Sequence, residues 1–209
     1  MAADPPPSSL PPDGAAQLAG AGAAVAPLPP RRLLWANLIW TQAAWFAAVL
    51  GAAHGRPVLG SLPVLAGLGW HLATVRRPGP ELRLVLCATL LGTLADAVPV
   101  QLGAVAYAHG QWNAALPPFW LSGLWAAFAT SLNLTLRWLH GRPWLAALLG
   151  AVAGPLAFSS GVRLGGAQFV DAPLALGWLA LEWALLLPLL CWLGQRLDGA
   201  AGPATVRAA

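Results

Sequence analysis

Between residues 33 and 194 the chain makes six long apolar runs, at about 33–53, 57–75, 82–107, 117–139, 143–166 and 172–194. At about 1.5 Å per residue, each run is long enough to cross a hydrocarbon core of roughly 30 Å as a helix. In lipid every backbone N–H and C=O needs a partner within the protein. The runs lack the alternating period of a barrel strand, so helices are the spanning form open to them. Charged residues make up 9% of the chain and hydrophobic ones 58%; a water-soluble domain carries about 25% charged residues. The predicted fold is therefore all-α: an integral membrane bundle of six transmembrane helices over residues 31–196, with a tail at each end. The lipid bilayer is its first partner.

Residues 1–30 hold eight prolines among Ala, Gly and Ser and show no apolar period, which predicts a disordered tail. They lack the basic start and apolar stretch of a signal peptide. Residues 197–209 form a second, short tail. All eleven basic residues are arginine, scattered singly or in pairs, so the net charge of +4 does not build the basic stripe of a nucleic-acid binder. They serve as topology signals instead. With the N-terminus in the cytoplasm, Arg31, Arg32, Arg76, Arg77, Arg83, Arg137, Arg142, Arg196 and Arg207 fall inside, and Arg56 and Arg163 outside, nine against two. That bias predicts both termini inside. Trp35, Trp70, Trp138, Trp144 and Trp192 then fall near inner helix ends, and Trp112 and Trp120 near outer ones, as interface-anchoring indoles do.

Small residues at four-residue spacing predict close helix packing: Gly123, Ala127 and Ser131 in the fourth run, and Ala146, Gly150 and Gly154, then Ala157, Gly161 and Gly165 in the fifth. Pro155 removes a backbone hydrogen bond from the fifth helix and predicts a kink. One echo runs through the chain. His-Gly-Arg-Pro occurs at 54–57 and again at 140–143, and Asp96 and Glu182 share the same offset of 86. Three helices per half would make inverted repeats, an arrangement of transporters; Asn37, Gln42 and Asn133 have no counterparts at this offset.

Two acids stand inside the runs. Asp96 lies roughly 21 Å from the start of the third run and Glu182 roughly 15 Å from the start of the sixth. An acid at that depth costs about 2.5–3.5 kcal/mol on insertion scales unless it faces the bundle interior, is neutral, or is paired. Candidate partners are Asn37, Thr41, Gln42, Thr130, Asn133, Ser159, Ser160 and Arg163. Trp40, Trp125 and Trp183 lie too deep for an interface belt, and Trp45 shares a helix face with Asn37 and Thr41. Together they predict a polar site of Asp96, Glu182, Asn37, Gln42 and Asn133 in a pocket lined by Trp40, Trp45, Trp125 and Trp183. Its occupant would be a small amphipathic molecule, a lipid or a proton. The competing reading is a set of interhelical hydrogen bonds that fix packing, about 0.6 kcal/mol each. Arg163 can reach headgroups or pair with Asp171.

Other chemistries lack their signatures. Cys87 and Cys191 fall inside apolar runs without Cys/His spacing, and His54, His71, His109 and His140 sit at helix ends without an HExxH pattern, so no metal or other cofactor is expected. No GxSxG elbow and no GxxxxGK[ST] loop occurs.

The segments NLIWTQAAWFAAVLGA (37–52), LGTLADAV (91–98), LWAAFATSLNLTLRWL (124–139) and GAVAGPLAFSSGVRLGGAQF (150–169) resemble those of a bacterial inner-membrane family, domain of unknown function 2878. The resemblance spans about residues 33–194 and carries over Asn37, Gln42, Trp45, Asp96, Asn133, Gly154 and Pro155; Phe158 stands where many relatives have tyrosine. It implies a multispan inner-membrane protein and assigns no chemistry. Three functions stay open: a small transporter or binding protein with Asp96 and Glu182 as titrating groups, a membrane-embedded enzyme acting on a lipid or isoprenoid-like substrate, or a noncatalytic subunit of a membrane complex.

Overall fold

The computed structural model describes residues 29–201; the expectations for 1–28 and 202–209 lie outside the described residues. Six α-helices follow in order: α1 (Arg31–Ala53), α2 (Pro57–Thr74), α3 (Pro78–Gln101), α4 (Phe119–Leu132), α5 (Pro143–Arg163) and α6 (Ala172–Arg196). Four of them, α1, α3, α5 and α6, are long and apolar enough to cross a membrane. The chain has the makeup of a membrane protein.

Helix ends follow from local chemistry. Pro57, Pro78 and Pro143 open α2, α3 and α5, where a missing N–H costs nothing and φ is already helical. The two His-Gly-Arg-Pro copies make nearly the same turn: Gly55 and Gly141 take φ of 70° and 75°, and Arg56 and Arg142 take φ of −122° and −120° just before each proline. A side chain at either glycine would be strained there. The echo is thus turn chemistry used twice. Packing does not repeat with it, since α1 packs along α2 whereas α4 does not pack along α5. Pro155 lies within α5, which continues through it to Arg163.

The fourth run is shorter than its hydropathy predicts. A single helix over 117–139 is expected, but α4 ends at Leu132, and a turn and a 3-10 segment (Arg137–Leu139) complete the run. Polar side chains crowd that end and compete for backbone groups. Leu134 and Leu136 N–H both turn back onto the Ser131 carbonyl, and Arg137 Nη1 caps the Asn133 carbonyl at 3.2 Å.

The helices alternate between two ends of the bundle. At one end, two short strands, β1 (Val105–Ala106) and β2 (Gln168–Phe169), pair antiparallel and tie the chain after α3 to the chain after α5. At the other, arginine-rich end, residues 197–201 fold back against α3. Two larger apolar clusters, with two smaller ones at the ends, form the interior: Leu84, Ala88, Trp125, Leu132, Leu187 and Leu190 among others between α3, α4 and α6, and Ala44, Ala48, Val64, Trp120 and Ala127 between α1, α2 and α4. Trp120 is 3% exposed and donates to the His109 carbonyl at 3.2 Å, so it belongs to the core and is not the interface anchor its position suggests. Trp112 and Trp144 are each 88% exposed.

Candidate functional site

α4 is the floor of a groove whose walls are α1 and α5. The walls meet only at the strand end, where a Cβ on Gly161 would touch Trp45 and Val49, and one on Gly165 would touch Ala53. Elsewhere α1 and α5 do not pack along each other. The resulting cavity of about 870 Å³ is lined from α1 by Thr41, Gln42, Trp45 and Phe46, from α4 by Leu124, Trp125 and Phe128, and from α5 by Leu149, Gly154, Ala157, Ser160 and Arg163. Trp138 and Leu139 line its arginine-rich end, Trp183 and Leu187 its back. That volume lies within the roughly 300–1,000 Å³ of small-molecule sites. Ala153, Ala157 and Gln42 are exposed on the flanks, so the cavity opens sideways between two helices.

Asp96 reaches this cavity from α3. It is 3% exposed, and its Oδ2 accepts a hydrogen bond from Trp125 Nε1 at 2.6 Å. Trp125 is stacked on Trp183 with centroids 4.7 Å apart and planes at 19°. Two glycines make room for the pair: a side chain at Gly92 would run into the Trp125 ring, and one at Gly154 into Trp183. Asp96 stands five residues before the end of α3, about 8 Å, so it lies nearer the strand end than a mid-run count suggests.

Glu182 is 4% exposed, and neither carboxyl oxygen has a partner. It does not line the groove. Its neighbours on α6 place it behind Asp96: Trp178, one turn earlier, donates to the Ala95 carbonyl at 3.2 Å, and Trp183 stacks on the indole that holds Asp96. Tyr107, after β1, has a buried hydroxyl without a partner. Asp96 thus faces the groove, Glu182 lies behind it, and Tyr107 lies at the strand end. Among the described residues no cluster of three His, Cys, Asp or Glu could hold a metal ion.

A family described as protein of unknown function, DUF2878, matches residues 34–189 of the chain. The chain belongs to the DUF2878 family. No curated protein and no solved structure matches it. In this DUF2878 chain the matched span contains Asn37, Asp96, Asn133 and Glu182 and stops short of residues 197–201.

The remaining predicted site residues separate into distinct places. Gln42 and Trp45 line the groove. Trp40 does not; it lies over Gly67 of α2 and donates to the Pro63 carbonyl at 2.9 Å. Asn37 is fully buried between α1 and α4, donating to Thr130 Oγ1 at 2.9 Å and accepting from Ser131 Oγ and Thr135 Oγ1 at 3.2 Å. With donor and acceptor both occupied, it is a packing clamp of the DUF2878 bundle. Arg163 is exposed and makes no ion pair among the described residues, because Asp171 instead caps α6 through Leu174 N–H at 3.0 Å.

Asn133 belongs to a polar cluster at the arginine-rich end that sequence reasoning missed. Its centre is Glu81, in the first turn of α3 and fully buried. Glu81 Oε1 accepts from Asn133 Nδ2 at 2.8 Å and from Gly199 N at 2.9 Å; Oε2 meets His71 Nε2 at 3.1 Å. Gly199 has no room for a Cβ, which would strike the Arg77 carbonyl. Arg137 pairs with Asp198, and Arg77 N–H donates to the Gly199 carbonyl. An acid in a helix's first turn reads as an ordinary dipole partner. The one available signal was that Glu81 and His71 flank a single short turn.

Proposed function

We propose that this chain is a bacterial inner-membrane protein with six crossings and both termini in the cytoplasm, and that it binds a long-chain lipid in the α1–α5 groove and presents it to Asp96. The observation that carries this reading is the sideways opening. A molecule entering between α1 and α5 comes from the plane of the bilayer. An apolar floor with one acid on its wall suits an enzyme-like site in which Asp96 gives or takes a proton at the bound molecule. The arginine distribution supports the orientation. Asn37 and Asn133 hold the bundle together and stand apart from this chemistry.

Orientation is tested by single cysteines in a background lacking Cys87 and Cys191. A cysteine at Gly79 should react only with reagent reaching the cytoplasmic face, and one at Asn113 from the opposite face; the reverse pattern overturns the topology. For function, a long-chain alcohol brominated on its chain should quench the indole fluorescence of the detergent-solubilised protein. Ala153→Phe, which fills the groove from its exposed flank, should remove most of that quenching. Asp96→Asn should bind the probe as wild type does, yet give its host the lipid profile of a strain without the gene. A wild-type lipid profile with Asp96→Asn ends the catalytic part of this reading.

A further inference from the structure

The groove carries its charged groups toward one end. Ser160, Arg163 and Asp96 lie toward the strand end and Thr41 and Gln42 midway along α1, whereas Phe128, Leu139 and Trp138 line the arginine-rich end together with Ser131, whose hydroxyl is turned to Asn37. Arg163 is a cation on the groove lip, exposed and without an ion pair among the described residues. Among the described residues Asp96 is the one acid that reaches the cavity, and one of its oxygens is already taken by Trp125.

Resting on the groove reading above, we infer that the occupant is a lipid with an anionic head group, held by Arg163 at the strand end, its chain laid toward Trp138. Charge complementarity fixes the sign of the head. A planar guanidinium binds phosphate or carboxylate through paired N–H donors, and the contact gains strength at the edge of a low-dielectric groove. Shape fixes the direction. Because α1 and α5 close on each other at Gly161 and Gly165, the head stops there and the chain has room only toward the open end. From Leu149 to Leu164 the groove follows about 22 Å of α5, more than half of a hydrocarbon core of roughly 30 Å. The chain it suits therefore continues past the bilayer midplane, beyond the reach of one leaflet's acyl tails. Asp96 then stands beside the first part of that chain, just below the head.

The test compares chain-brominated probes of one chain length, an alkyl phosphate, the alcohol and the amine, by quenching of indole fluorescence in the full-length protein in detergent. Wild type should bind the phosphate about tenfold more tightly than the alcohol, and the amine no better than the alcohol. Arg163→Gln should bring phosphate and alcohol within about twofold, chiefly by weakening the phosphate, and Arg163→Lys should restore part of the preference. A preference that survives Arg163→Gln, or a wild type that favours the amine, overturns the inference and leaves the groove reading standing. Inorganic phosphate should not displace the alkyl phosphate; displacement at equal concentration would mean a site for the free anion and overturns the lipid. If no probe quenches wild type more than Ala153→Phe, the groove reading itself fails.

Discussion

Glu81→Ala should unfold the protein in detergent at a markedly lower denaturant concentration, with a loss of about 3–5 kcal/mol. The side chain is completely buried and joins three separate pieces of chain: His71 at the end of α2, Asn133 after α4, and Gly199 beyond α6. Removing it strands a backbone N–H, an amide and an imidazole away from water, and each loses its only anionic acceptor. Glu81→Gln keeps one carbonyl oxygen for Asn133 and Gly199, and its amide can serve His71 Nε2, so its loss should be smaller, about 1–3 kcal/mol. An equilibrium denaturation series on the two variants checks the order. Loss of under 1 kcal/mol for Glu81→Ala would mean that residues 197–201 do not hold this end together.

Gly150→Val should be the most damaging change along the α5–α6 contact. A Cβ at Gly150 would meet the backbone carbonyl of Trp183, which cannot swing aside as a side chain can, so α5 and α6 must separate. Overpacking of this kind costs about 1–3 kcal/mol, and the β-branched side chain adds to it. The effect should also travel. Trp183 stacks on Trp125, and Trp125 holds Asp96, so displacing α6 loosens the groove acid as well as the fold. Gly177→Ala is the control. Nothing lies within 4 Å of a Cβ there, and exchanging glycine for alanine in an exposed helical position should be neutral or stabilise by about 0.5–1 kcal/mol. Thermal unfolding of both variants, with probe quenching as the second measurement, decides the matter; equal behaviour at the two positions would disprove the tight α5–α6 contact.

Much of the candidate site was legible as a list and not as an arrangement. Asp96 and Glu182 could be singled out because an acid inside an apolar run has to turn inward, whatever the fold. Trp125 and Trp183 could be assigned to the interior because they lie too deep for headgroups. That Trp125 donates to Asp96, that Glu182 remains unpartnered behind it, and that Trp40 serves α2 are outcomes of helix rotation, which a run hydrophobic all round does not encode. Asn37 and Asn133 looked equivalent to Gln42 in the sequence. Their partners separate them: Asn37 and Asn133 spend their hydrogen bonds on packing, and Gln42 faces the groove.

By itself the sequence determined the helices, because backbone groups in an apolar run have no solvent and must bond within the run. It determined the turns at His54–Pro57 and His140–Pro143 too, since glycine and proline act on their own dihedrals. Only the tertiary structure decided that α1 and α5 part to leave a groove, that α4 stops at Leu132, and that Glu81 gathers His71, Asn133 and Gly199. Those outcomes depend on which helix faces meet, and in lipid the choice rests on close fit and a few hydrogen bonds between distant residues, not on hydrophobic pattern.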